Sequence, residues 1–451
     1  MVTVEAGAFG DVRRAARYCS MLEAAVSHGT LVLRRLGGDR AGEVGVQRFL
    51  SSADVTVEEL VAQARAQTAR AAQGRRLVLA VQDTCEINFA PSKRRRGLGR
   101  GGHRTVVGYF AHPTVAVDGA DGSLIGLAGL QIWTRGTDDA DRGRNGADGK
   151  PAKESQRWLA GAQAGQAVLA GADRVVVVSD REGDIYSDMA QIPGERCALL
   201  TRAAQNRSVG EADRLFAAAV AWEWSAAREI QIERHGGHTP RTARIRLRSG
   251  RVSIQRPEDA AKSLPASVTM TLIEIGEEAA PAGHDPLHWY LLYSDEVASV
   301  EEAWEIARLY RLRWRIEQIF QLLKSSGFDI EDTEVMERDH LFKLTVLGLT
   351  AAVLSQQLVD ARDGAIARPA SDVITPEQID AAHAINRQLQ GRTLRQQNPH
   401  RDGTMAWLAW IIARLGGWHC YGHKPGAKTM RRGYERFVDR AFGFLLASGN
   451  A

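Results

Sequence analysis

Cysteine is scarce: four residues in 451, at positions 19, 85, 197 and 420, with no CxxC pair. Such spacing excludes a disulfide framework and the common zinc patterns, and it suits a reducing compartment. Long apolar runs are missing as well. The longest, around Leu344 to Leu354, is too short to span a bilayer and reads as a buried helix. The opening MVTVEAGAFGDVRRAAR lacks the apolar centre of a secretory signal, so a cytoplasmic protein with no membrane partner is expected. Strong charge imbalance is absent too: 58 basic against 54 acidic residues leave a net charge of +4. A case for nucleic acid therefore rests on local clusters.

The richest segment is YRLRWRIEQIFQLLK, Tyr310 to Lys324. At about 100° per residue, Tyr310, Arg313, Glu317 and Lys324 share one stripe of a helix. Leu309, Leu312, Ile316, Ile319 and Leu323 form a second, apolar stripe. Ser299 with Glu302 supplies a capping signal, so a single helix is expected through the whole segment. One face packs on a core, and the other offers a carboxylate among cations and a phenol. A charged helix face is usually just solvated, so the segment needs support from elsewhere.

Two other carboxylates supply it. Asp83 follows the alternating strand pattern of RRLVLAVQD, and Asp180 follows the β-branched run Val175 to Val178. Open α/β sheets bind ligands at that carboxyl end of their strands. Each aspartate alone has an ordinary alternative, as a turn former at Asp83 or a helix cap at Asp180. Three carboxylates with Arg313 and Lys324 suggest a hard-cation site facing a polyanion. Mg²⁺ takes a few carboxylates and leaves positions for phosphate oxygens. Two such ions can activate the attacking oxygen and stabilise the leaving one.

With Asp83, DREGDI at 180–185, and Tyr310, Arg313, Glu317 and Lys324 at their spacing, the chain resembles DDE transposases of the insertion-sequence-four family, close to the transposon-five type. The resemblance runs nearly end to end, through GDVRRAAR, RTARIRLRSGRVSI and IARLGGW. It implies a metal-dependent enzyme that cuts double-stranded DNA at terminal inverted repeats, through a hairpin, and joins the ends to target DNA. Asp83, Asp180 and Glu317 would hold two Mg²⁺ or Mn²⁺ ions, with Tyr310, Arg313 and Lys324 beside them. DNA contacts are implied for Arg17, Arg48, Arg181, Arg202 and Arg207. Trp289 would stack on a flipped base and Trp314 would fill the space it vacates. A homodimer pairing two ends is implied, with Trp407, Trp410, Ile411 and Leu415 as its apolar stripe, in a bacterial, nucleoid-associated protein. Cys85 and Ala90 depart from the family pattern. A ribonuclease-H-like nuclease or a non-catalytic DNA-binding protein would be the rival readings.

The expected organisation is α/β: a ribonuclease-H-like core with a β-rich insertion, flanked by helical N- and C-terminal domains. Residues 1–65 read as a helical DNA-binding domain and 66–194 as the first part of the core. PSKRRRGLGRGGHR reads as a mobile basic loop. GYFAHPTVAVDGADGSLIGLAGLQIW reads as a hairpin across an Asp-Gly turn. Residues 195–297 form the insertion, 298–360 return to the core with the Glu-bearing helix, and 361–451 form a helical dimerisation domain.

Overall fold

The computed structural model describes residues 4, 7–90, 95–101, 106–135, 155–210, 213–232, 241–281, 285–325, 327–362, 368–422 and 424–448. Four helices come first: α1 (Val12–His28), α2 (Leu33–Gly37), α3 (Arg40–Ser51) and α4 (Val57–Ala72). Asp11, Asp39 and Thr56 each accept a backbone N–H in the first turn of α1, α3 and α4, so side chains satisfy donors that the helices leave orphaned. Leu22, Phe49, Leu50 and Leu60 of these helices are buried in the same apolar cluster as Leu79 of the first strand.

The sheet begins with β1 (Leu77–Gln82), β2 (Cys85–Phe89), β3 (Gly99–Arg100), β4 (Val107–Asp118) and β5 (Leu124–Trp133). After α5 (Gln156–Val168) come β6 (Arg174–Ser179), α6 (Tyr186–Gln191) and β7 (Cys197–Arg202). Neighbours run β5-β4-β1-β6-β7, with β4 antiparallel to β1 and to β5, and β1, β6 and β7 parallel. This is the strand–hairpin–helix–strand arrangement of a ribonuclease-H-like core. The hairpin turn closes at Gly122, whose φ of +75° favours glycine; a Cβ there would also come within 2.7 Å of Leu312.

The segment read as an insertion does not fold as a separate sheet. It carries β8 (Ser208–Val209), β9 (Asp213–Arg214), α7 (Leu215–Ala218), β10 (Arg228–Ile232), β11 (Arg241–Gln255), β12 (Ser267–Glu277) and β13 (His288–Tyr293). β13 pairs antiparallel with β7, and β12 and β11 follow outward. The added strands thus satisfy the backbone groups that β7 would otherwise leave open at an edge.

The Glu-bearing segment departs from the single helix expected. It forms α8 (Val300–Arg311) and α9 (Trp314–Lys324), broken at Leu312 and Arg313. The backbone stays in the right-handed helical region, but the amides of Leu312, Arg313, Arg315 and Ile316 bond three residues back instead of four. A tightened turn of this kind rotates α9 relative to α8, so Tyr310 and Glu317 are not on one continuous stripe. Ser299 caps α8 as expected, although the Glu302 carboxylate reaches Ala298 N–H instead of closing the box.

The remaining helices are α10 (Arg338–Ala361), α11 (Pro376–Leu389), α12 (Met405–Leu415) and α13 (Ala427–Ser448). α10 is long and apolar enough to cross a membrane by composition, yet most of it is buried inside the protein as a core helix. α11 starts with Pro376 in a complete Thr375–Gln378 capping box. Trp407, Trp410, Ile411 and Leu415 are all buried in the protein's own core. The apolar stripe proposed for dimer contact is therefore spent within one chain.

Two basic positions also prove structural. Lys93, Arg94 and Arg104 lie outside the described residues. Arg95, by contrast, donates to the carbonyls of Val335 and Thr333 and lies over Phe89, so its end of the basic loop is docked. Arg207 is 7% exposed; its Nε donates to Asp184 Oδ1 at 2.9 Å. The other Asp184 oxygen accepts the amides of Ala204 and Gln205, which fixes the turn after β7. A guanidinium held this way braces the turn and is mostly buried, which favours a structural role over the expected DNA contact. Breaking a buried pair strands the remaining charge, so Arg207→Ala should lose about 3–5 kcal/mol of stability in denaturant titration. A loss under 1 kcal/mol would show that the pair is not structural.

Candidate active site

The parallel register brings the two aspartates together. Val81 pairs with Val178 across β1 and β6, so carrying the register forward two residues sets Asp83 beside Asp180. Neighbouring strands lie about 4.8 Å apart, close enough for the two carboxylates to repel strongly. The next register continues the row: Ser179 pairs with Thr201 across β6 and β7, which puts Arg202 next to Asp180. Thr201 also holds the turn, donating its hydroxyl to the Asp180 carbonyl at 3.0 Å. Asp180 does cap the short helical turn after it, accepting from Glu182 N–H at 2.8 Å.

Glu317 enters from the first turn of α9. Arg313, seated at the break before that helix, lies 2.8 Å from Asp83 Oδ2 and 3.4 Å from Glu317 Oε1. Its own pKa is raised: burial pulls it down, but Asp83, Tyr310, Glu317 and Asp180 outweigh that. Burial and the Asp180 charge push Asp83 up to about 7, against the opposing pull of Arg313 and the Thr84 amide. The two directions agree: beyond the effect of burial, Asp180 and Glu317 disfavour charge on Asp83, and the same carboxylates keep Arg313 charged.

Among the described residues, no three His, Cys, Asp or Glu side chains converge tightly enough to hold an ion as they stand. The donor set nevertheless fits a hard divalent cation: three carboxylates, an uncompensated acid and a guanidinium standing where positive charge is wanted. Asp83, Asp180 and Glu317 are the residues that would hold it.

Cations and aromatics flank this centre. Tyr310 is buried, packed edge-on against Trp289 with ring centroids 5.6 Å apart, and burial raises its pKa. Trp289 sits on β13 two residues before Leu291, the partner of Arg202, and the Arg202 guanidinium lies 5.9 Å above its ring. Burial, then Arg181 nearby, lowers the pKa of Arg202. Arg181 is exposed, and Trp314 is 46% exposed. Lys324 is drawn to β2, donating to the Glu86 carbonyl at 2.7 Å and pairing with Glu331 at 3.0 Å. Arg17 and Arg48 lie apart from this centre, on α1 and α3; Arg48 is exposed and Arg17 lies over Gly45.

Sequence reasoning missed the support behind Asp83. Buried His112 has Nδ1 2.9 Å from the Thr84 hydroxyl and Nε2 3.0 Å from Gln82 Oε1. Because the amide oxygen only accepts, Nε2 carries the proton and Nδ1 accepts from Thr84. Burial and nearby Arg157 lower His112 to about 4, so it stays neutral and locks the residues either side of Asp83. Its one signal was a histidine inside an apolar strand. Glu331 was also missed, since its pairing with Lys324 crosses a loop with no periodicity.

Residues 156–354 match the model of one protein family, the transposase DDE domain. The chain carries a DDE transposase domain. It is accordingly a metal-dependent enzyme of DNA strand cleavage and strand transfer, its substrates are DNA, and enzymes of this kind use divalent ions, typically Mg²⁺. The match spans Asp180 and Glu317, whereas Asp83 precedes it.

Without metal the carboxylate cluster should tax stability. An acid with a folded pKa near 7 and an unfolded value of about 3.9 keeps its proton longer when folded. Stability of metal-free protein then falls as pH rises from about 4 to about 7, and is flat above. Asp83→Asn should remove this slope and be up to about 4 kcal/mol more stable at pH 8, by urea titration in EDTA. An unchanged slope would show that Asp83 is not the group under strain.

Proposed function

We propose that this enzyme is a cut-and-paste transposase of the insertion-sequence-four kind. It binds terminal inverted repeats, pairs two ends in a homodimer, cuts each end through a DNA hairpin, and joins the 3′-hydroxyl to target DNA. The observation that carries the reading is the row Asp83, Asp180, Arg202, Trp289 across neighbouring strand ends of one sheet, with Glu317 and Arg313 facing it. Carboxylates, phosphate-binding cations and a base-stacking ring are what hairpin chemistry needs within reach of one phosphate.

In this reading Asp83, Asp180 and Glu317 hold two Mg²⁺ or Mn²⁺ ions, which when bound make water or a sugar hydroxyl a better nucleophile and steady the leaving oxygen. Arg181, Arg202 and Arg313 bind phosphate oxygens beside the carboxylates. Tyr310 braces Trp289, and Lys324 holds β2 against α9. Trp289 receives a base leaving the stack, and exposed Trp314 fills the gap. Arg17 and Arg48 grip the transposon end from the N-terminal helices, where they contribute affinity without touching the chemistry. With the α12 stripe buried, the exposed Phe442 and Leu446 on α13 are better placed to meet a second copy.

Incubation with the element's flanking DNA and Mg²⁺ tests this. Wild type should cut at defined ends; Asp83→Ala, Asp180→Ala and Glu317→Ala should each lose cleavage by at least ~10³-fold yet bind ends within roughly threefold, because affinity comes from basic residues elsewhere. Mg²⁺-dependent cutting by any of the three would sink the assignment. The same assay separates the steps. Trp289→Ala should still nick the first strand but form hairpins roughly tenfold more slowly, since stacking offsets much of the unstacking cost. Equal losses in both steps would remove base flipping from the account.

A further inference from the structure

On the far side of the carboxylates from Trp289, the hairpin carries a second aromatic and cationic group. Register places it: Glu86, three residues after Asp83, pairs with Phe110, and Phe110 pairs with Trp133. The Phe110 and Trp133 rings are stacked, with centroids 5.5 Å apart and planes 20° from parallel. The Arg135 guanidinium lies 4.1 Å over Phe110, and that of Arg157 lies 4.1 Å over Trp133. Beside the stack, Trp158 meets His112 edge-on at 4.6 Å. These residues line a cavity of about 390 Å³ that also takes in Thr84, Glu86 and Glu182, neighbours of both catalytic aspartates.

We propose that this cavity receives an unstacked nucleobase of the DNA, on the opposite side of the scissile phosphate from the base at Trp289. The inference rests on the transposase reading above, and deepens it by adding a second base site. A guanidinium held over a ring is a ready platform on which a base extends the stack. Its rotamer entropy is already spent in the free protein, so binding there costs little further ordering. Charge decides between the two parts of a nucleotide. The two arginines are matched by Glu86 and Glu182, so the cavity has no net attraction for a phosphate but accepts a neutral, polar ring. The phosphate between that base and the one at Trp289 falls to Arg181 and Arg202, which lie near Asp180. Two base sites flanking one row of carboxylates would splay the strand on both sides of the phosphate being cut. A tight hairpin demands that geometry.

Photocrosslinking tests this without relying on catalysis. Full-length protein, without divalent metal, is bound to duplex carrying the element's end and its flank. 5-Iodo-2′-deoxyuridine replaces one nucleotide at a time on each strand around the cut, and crosslinked peptides are mapped by mass spectrometry. A crosslink in the peptides holding Phe110, Trp133 or Trp158, from a position across the cut from the one that reaches Trp289, is expected. Arg157→Ala should lower that yield roughly tenfold and leave the Trp289 crosslink intact, with an unchanged melting curve showing that the fold survives. Crosslinks that map elsewhere, with none in these peptides, overturn the second base site and leave the transposase reading standing. Protein that neither binds nor cuts the end overturns both.

Discussion

The structure depends on the parallel register of β1, β6 and β7. Three strands that end together leave their next residues side by side, so Asp83, Asp180 and Arg202 are neighbours although nearly 120 positions separate the first from the last. Holding two carboxylates at that separation is unfavourable without a counter-ion, and this adds to burial in raising the pKa of Asp83. It persists because Val78 to Val81 and Val175 to Val178 are buried on both faces, and sliding either strand would expose them. Arg313 relieves part of the repulsion. Core burial thus maintains a charge arrangement that is useful chiefly for chemistry.

The outer strands extend the same logic. Because β13 hydrogen-bonds directly to β7, Trp289 is tied to Arg202, and through it to Asp180, by a continuous ladder. A ring on a separate flexible domain would lack such a fixed distance from the carboxylates. On the other flank, β4 and β5 tie Phe110 and Trp133 to the strand that ends at Asp83. Both groups of aromatics therefore move with the sheet, as a preorganised site requires. The break between α8 and α9 has a comparable role, since it seats Arg313 between Asp83 and Glu317. Leu312 at that break fits over Gly122 of the hairpin turn, so close approach of a glycine helps determine where the catalytic helix starts.

Several features were legible from residue order because they follow local rules. The strands before Asp83 and Asp180, the β4–β5 hairpin, and the caps at Ser299 and Thr375 all announce themselves through periodicity and capping chemistry. Other features depend on contacts between distant segments, and local pattern misjudged them. Arg207 follows a strand like Arg202, yet Asp184 buries it. The α12 tryptophans look like an interface stripe, yet neighbouring helices cover them. The tightened turn at Leu312–Arg313 keeps helical dihedrals, so amphipathic spacing runs through it without a mark. Sequence by itself determined which residue types stand at the strand ends and which faces are apolar, since both follow from side-chain chemistry and backbone period. Tertiary structure alone decided which arginines face the carboxylates and which brace a turn. That choice depends on burial and on partners far along the chain, neither of which the local order of residues encodes.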